Sequence, residues 1–139
     1  MQEDIEFAGA GRMLAATICT STQQEADGEL RHGIVFVHGL GSNRRGYVEY
    51  GERAAAQLGA SCLALDLSGY GLSPGEASDI SPAEHLQDVL AAWDELTARY
   101  RADPGRIGVC GSSYGACLAT PGRAVIRQRH GTRLRGFPP

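Results

Sequence analysis

Three short apolar runs dominate the chain: "GIVFVHG" at residues 33–39, "SCLALDL" at 61–67 and "RIGVC" at 106–110. Each has the length of a strand and is flanked by glycine or turn residues, as expected for strands buried on both faces of a parallel sheet. Between them lie two helical segments. "YVEYGERAAAQLGA" (47–60) carries Gly59 near its end, where a helix commonly stops. "SPAEHLQDVLAAWDELTARY" (81–100) opens on a capping box, with Ser81 as N-cap, Pro82 at N1 and Glu84 at N3. Its Leu86, Val89, Leu90, Trp93, Leu96 and Tyr100 fall at helical spacing and predict one apolar stripe. Strand, helix, strand, helix, strand at this rhythm argues for an α/β fold with right-handed crossovers. The sequence "ADPG" (102–105) reads as the turn that leads into the third strand, and "EDIEF" and "MLAATICT", separated by "AGAGR", read as a preceding β-hairpin. A polar loop, "STQQEADGELRH", joins that hairpin to the first parallel strand.

At 139 residues the chain has the size of one ordinary domain. An apolar content of 42%, a charged content of 21% and a formal net charge of −3 place it with globular proteins rather than disordered or fibrous ones. No stretch approaches the roughly 18 apolar residues of a membrane span, and the opening "MQEDIEFAGA" is acidic where a signal peptide is basic and then hydrophobic. The expectation is a cytoplasmic protein without membrane contact. Cys19, Cys62, Cys110 and Cys117 lie at or beside apolar runs without CxxC spacing, which predicts buried, reduced thiols, no metal and no cofactor.

Ligand sites in parallel sheets lie at the carboxyl ends of the strands. Three loops occupy that edge: "HGLGSN", "DLSGYGLSPG" and "GSSYG". The last is a Gly-x-Ser-x-Gly pattern, Gly111 to Gly115, between an apolar strand and an apolar helix start. A serine displayed on so sharp a strand-to-helix turn needs neighbours two residues away that lack side chains, and Gly111 and Gly115 meet that demand. Ser113 is the candidate nucleophile. The backbone N–H of Tyr114, at the new helix N-terminus, would supply half of an oxyanion hole, and that of Leu40 the other half. Gly39 and Gly41 flank Leu40 and would let the main chain come close. His38 is expected to tie this loop rather than to act as a base. "GLGSNRRG" superficially resembles a nucleotide-binding loop. It has Tyr47 where a P-loop requires lysine, and Arg44 where a dinucleotide fingerprint requires its third glycine.

The motifs "VFVHGLGSN", "ALDLSGYGLSPG" and "DPGRIGVCGSSYGA", in this order on these elements, make residues 1–120 resemble the N-terminal half of an α/β-hydrolase. The wording around Ser113 is similar to dienelactone-hydrolase-like, prolyl-oligopeptidase-like and serine-aminopeptidase-like members. The resemblance implies a partial α/β-hydrolase fold: an N-terminal hairpin, then a parallel βαβαβ sheet ending just after the nucleophile turn. It implies acyl transfer through an acyl-enzyme on Ser113, with a small-molecule ester or a peptide as substrate. One departure is visible. Ser68 stands where members often carry arginine after the fourth strand, which is expected to weaken a local ion pair.

In this fold the triad acid and histidine follow the serine. After Ser113 the chain contains no aspartate or glutamate, and its one histidine is His130. Upstream, His32 lies at the amino end of its strand, His85 is read as a surface residue of its helix, and Asp66 as a loop-capping carboxylate. No complete triad can be assembled. Pro121-Gly122 is expected to end the serine's helix after about two turns. Residues 1–120 hold all sixteen acids against eight arginines, whereas 121–139 hold five arginines and no acid. Clustered arginines attract phosphate, but the acidic remainder argues against nucleic acid as a partner. The switch near Thr120 predicts a departure from the family by frameshift or truncation, leaving 121–139 as a non-homologous basic tail. Such a chain would expose "RIGVC" as a sheet edge prone to self-association and would be marginally stable. Two functions follow: a serine hydrolase by lineage, impaired here, or a non-catalytic remnant or binding module.

Overall fold

The computed structural model describes the backbone of residues 1–22 and 28–130 and the side chains of 1–22 and 28–122. Part of the polar loop (23–27), the ring of His130 and the arginine side chains of the tail therefore lie outside the described residues. Five strands form one mixed sheet in the order β1-β2-β4-β3-β5. They are β1 (Gln2–Ala8), β2 (Met13–Cys19), β3 (Arg31–Val37), β4 (Ser61–Leu65) and β5 (Ala102–Gly111). The expected hairpin is present: β1 and β2 pair antiparallel from Gln2↔Cys19 to Ala8↔Met13. β2 then pairs antiparallel with β4, while β3 lies parallel to both β4 and β5.

The strand period of two sorts the core into two layers. Val35, Val37, Leu63 and Leu65 face one side, where α2 (Pro82–Arg99) and α3 (Tyr114–His130) cover them with Val89, Trp93, Leu96 and Leu118. Each such buried side chain stabilises the fold by roughly 1.5–3 kcal/mol. Phe36, Cys62 and Ala64 face the other side, beneath α1 (Val48–Leu58). Small residues dominate that layer, and α1 approaches closely: a Cβ added at Gly51 would lie 3.2 Å from Cys19 Sγ. The capping box of α2 forms as predicted, with Ser81 Oγ accepting from the Glu84 N–H and the Glu84 carboxylate accepting from the Ser81 N–H. That pairing holds the Glu84 carboxyl below its ordinary range.

Several expectations need correction. "ADPG" is not a turn ahead of β5 but a bulge inside it: Arg31 pairs with Ala102 and Gly33 with Ile107, so Asp103 to Arg106 loop out of register. Asp103 Oδ1 accepts the Gly105 N–H at 2.9 Å, which gives the looped segment its own turn without ending the strand. Pro121 does not stop α3, which runs on to His130 across the compositional break. The proline forfeits one intrahelical bond, but the helix is clamped on either side of it. Leu118 is buried, and buried Gly122 brings the backbone within van der Waals reach of Leu86 and Val89 on α2. All four cysteines are free, yet Cys110 and Cys117 are exposed. Cys110 pairs across from Phe36 on the face that α1 covers, but among the described residues β5 is an edge strand and α1 packs over β2, β3 and β4. Among the described residues no helix is long and apolar enough to cross a membrane.

Candidate active site

β3, β4 and β5 deliver three loops to one edge of the sheet, and Ser113 stands where β5 turns into α3. Its φ is +55°, in the left-handed region that side-chain-bearing residues rarely occupy. The turn is tight because its flanks press on β3. A Cβ at Gly115 would fall 2.1 Å from the Val37 carbonyl oxygen, and one at Gly111 would fall 2.6 Å from the Gly115 carbonyl carbon. No side chain fits at either position, so the glycine pair is a steric requirement of this turn. Ser113 is exposed, and Tyr114 is the first residue of α3, so its N–H has no acceptor within the helix.

The loop after β3 lies against this turn. Gly39 is close enough that a Cβ there would sit 3.5 Å from the Ser112 carbonyl oxygen and 3.7 Å from Ser113 Cβ. Gly41 differs from expectation: its surroundings are open, and what it supplies is a φ of +71° within the turn closed by the Ser42 N–H on the Gly39 carbonyl. Leu40 between them projects into solvent, 63% exposed. His38 ties the loop as its position suggested. The ring is fully buried, Nδ1–H donates to the Gly39 carbonyl at 2.8 Å, and Nε2 accepts the Leu67 N–H at 3.0 Å. Burial holds its pKa below the ordinary histidine value, so the neutral ring fixed by these two bonds is the stable form.

Asp66 is a loop-capping carboxylate on a larger scale than expected. Fully buried, it accepts from the backbone N–H groups of Arg44 and Leu72, at 2.7 and 3.0 Å, and pairs with the Arg44 guanidinium. Arg44 continues to Thr17 Oγ1 at 2.9 Å, and that hydroxyl donates to Asp4 at 2.7 Å. The hairpin, the loop after β3 and the loop after β4 are thus joined by one polar chain, buried from Asp66 through Arg44 to Thr17 and ending on the exposed Asp4. Nothing in "SNRRGY" distinguished Arg44 from Arg45. The structure separates them because Asn43 caps the short 3₁₀ turn Arg44–Tyr47 and turns Arg44 inward.

His85 is the principal correction at the site. It is buried, not a surface residue: Nε2–H donates to the Ser68 carbonyl at 2.9 Å, and Nδ1 accepts from the Tyr114 hydroxyl at 2.7 Å. The spacing carried the signal, since His85 precedes Val89 by four residues and Trp93 by eight and so continues the apolar stripe. Tyr70 packs between the two imidazoles, with ring centroids 5.4 Å from His38 and 5.8 Å from His85. Ser68, at the position of the missing arginine, is held by Asp88 of α2, which accepts from its N–H at 2.8 Å and its hydroxyl at 2.9 Å. Burial nevertheless raises the Asp88 carboxyl above its ordinary range. On the opposite flank, the Tyr47 hydroxyl lies 2.7 Å from Ser112 Oγ, with the Tyr47 ring stacked on Phe36. His32 is exposed in β3 toward its amino end, away from Ser113. Among the described residues no cluster of three or more His, Cys, Asp and Glu is placed to hold a metal ion.

Known proteins are similar to this chain in sequence and fold. The chain is 33% identical over 89 residues to human alpha/beta hydrolase domain-containing protein 17C, covering 61% of this chain and 25% of that protein. It is 41% identical over 70 residues to an uncharacterized protein of Mycobacterium tuberculosis, covering 50% of this chain and 24% of the relative. The chain thus spans about a quarter of the length of these curated relatives. Among solved structures, an acetyl xylan esterase from Paenibacillus sp. R4 superposes with a TM-score of 0.75 at 26% identity, over 92% of this chain and 46% of that one. The alpha/beta hydrolase family model matches residues 34–134, from β3 through the Ser113 turn and α3, and the chain therefore belongs to the alpha/beta hydrolase family.

Proposed function

We propose that the chain carries the nucleophile and oxyanion half of a serine hydrolase active site, acting on a small-molecule ester or a peptide bond. The observation that carries this reading is the φ of +55° at Ser113, held between two glycines whose positions admit no Cβ. Strain of this kind persists where the surroundings over-determine it, and it lifts the serine hydroxyl clear of the sheet edge. In the proposed reaction Ser113 Oγ adds to the acyl carbonyl, and the oxyanion is met by the backbone N–H groups of Tyr114 and Leu40. The leaving group departs to give an acyl-enzyme that water then hydrolyses. The proton taken from Ser113 requires a base and the base an orienting acid. A site limited to oxyanion hole and binding retains roughly 10³–10⁴ over water. The four free thiols fit a reducing compartment such as the cytoplasm.

The second reading is a non-catalytic binding module. It is favoured by His38 and His85, the two buried imidazoles beside the turn, each of which has both ring nitrogens engaged elsewhere. A fluorophosphonate probe separates the two. Labelling that maps to Ser113 and vanishes in Ser113→Ala is the expected result. Equal absence of label in both proteins would reject the hydrolase in favour of the binding module. Parallel assays with p-nitrophenyl esters and p-nitroanilides then assign ester or amide preference.

A further inference from the structure

We infer that His85 is a positioning residue: by accepting the Tyr114 hydroxyl bond at 2.7 Å it anchors that side chain and so aims the Tyr114 backbone N–H at the oxyanion position. This rests on the hydrolase reading of Ser113. The amides of Gly115 and Cys117 are already committed, to the carbonyls of Ser112 at 3.0 Å and Ser113 at 3.2 Å. The second bond also holds, through the Ser113 carbonyl, the peptide plane that carries the Tyr114 N–H, and at 3.2 Å it is the longer of the two. Ser113 sits at φ +55°, where side-chain-bearing residues are rare, and rotation of the plane that follows it would turn the Tyr114 N–H away. A tether on the far end of the Tyr114 side chain opposes this rotation with a long lever arm.

The tether is itself rigid. His85 is 2% exposed, its Nε2–H is fixed on the Ser68 carbonyl, and its ring lies against both Tyr70 and Tyr114, with centroids 5.8 and 5.5 Å away. That engagement leaves Nδ1 as acceptor, so the phenol must donate. Ser68 is in turn clamped by two bonds to Asp88, so the loop that fixes the His85 ring is itself anchored on α2, and the His85–Tyr114 bond joins α2 to the first residue of α3. The substitution of serine for arginine after β4 thus leaves the loop held by hydrogen bonds, and its carbonyl faces the helix histidine.

The test is the saturation kinetics of fluorophosphonate labelling on the whole chain, with the rate at saturation, kinact, read separately from the half-saturating concentration, KI. Tyr114→Phe removes one hydroxyl and keeps the ring. It is expected to lower kinact by roughly ten- to a hundredfold with KI unchanged, less than the 10²–10³ that follows deletion of an oxyanion donor. His85→Phe is expected to match it, and His85→Asn, which keeps an acceptor near the Nδ1 position, to recover most of the loss. If Tyr114→Phe labels at the wild-type kinact, with only the labelled fraction reduced, the inference is overturned and the contact is structural. That result can be read even if His85→Phe does not fold. An unlabelled wild type would instead overturn the hydrolase reading, and this inference with it.

Discussion

Replacing Gly115 by alanine tests the steric logic of the Ser113 turn with a single methyl group. Gly115 has no unusual φ, so alanine is acceptable to its own backbone and the perturbation is purely one of space. The added Cβ would meet the Val37 carbonyl oxygen at 2.1 Å, the Val37 carbonyl carbon at 2.8 Å and the His38 carbonyl oxygen at 2.9 Å. All three are backbone atoms of β3 and its exit, and β3 is pinned between β4 and β5, so none can swing aside as a flexible side chain would. Relief requires α3 to lift from the sheet, opening contacts at Leu118. Overpacking of this severity belongs at the upper end of the usual range, about 3 kcal/mol. For a chain of this size that is a fall in Tm of about 10 °C. Gly46→Ala is the control, since a Cβ there meets nothing within 4 Å. Gly41→Ala isolates backbone strain, with open space but a φ of +71°, and should destabilise by about 1–2 kcal/mol. Thermal unfolding followed by circular dichroism ranks the three. A Gly115→Ala protein melting within 2 °C or so of wild type, on a scale of ~3 °C per kcal/mol, would refute the claim that the turn is closed against β3.

Two further outcomes follow from the ionisable groups. Burial holds the folded-state pKa of the His38 ring below the ordinary histidine value of 6.5, so the unfolded chain binds the proton more readily. Its contribution is present above 6.5 and is lost as the pH falls through the lowered value. The urea midpoint of wild type should therefore drop between pH 7.5 and pH 5.5, and His38→Gln should flatten that slope; an equal slope in both would reject the assignment. Burial pushes the Cys62 thiol up to about 12 and the Cys19 thiol up to about 11, whereas Cys110 and Cys117 are exposed. A disulfide-exchange reagent should titrate Cys110 and Cys117 in the native protein and reach Cys19 and Cys62 only on unfolding; fast native reaction at Cys62 would contradict the packing beneath α1.

Much of this architecture was legible because its causes are local. The strands are continuous apolar runs, α2 announces its start through Ser81 and Glu84, and the glycines around Ser113 answer a clash that a two-residue spacing already implies. What escaped depends on which element lies opposite. His85 was misread because its polar character outweighed its place on the stripe, although the Ser68 carbonyl and Tyr114 hydroxyl satisfy it fully. Pro121 is a helix breaker in isolation, yet packing around Leu118 and Gly122 carries α3 through it. The looped-out Asp103 to Arg106 and the exposure of Cys110 follow from the position of β5 at the sheet's edge, which no window of its own residues encodes. Arg44 became the centre of a buried polar chain through partners 22 and 27 residues away, Asp66 and Thr17.

The parallel pairing of β5 with β3 also sets the order in which the molecule can assemble. The walls of the Ser113 turn are the carbonyls of Val37 and His38, so the turn has nothing to close against until β5 docks beside a strand made some seventy residues earlier. A parallel pair needs a long crossover before its first contact is rewarded, which makes it a late step in folding. The geometry of the turn is therefore acquired when β5 docks on β3 and lost when the two part. Partial unfolding that peels β5 from β3 would open the Ser113 turn while the hairpin and β4 remain paired.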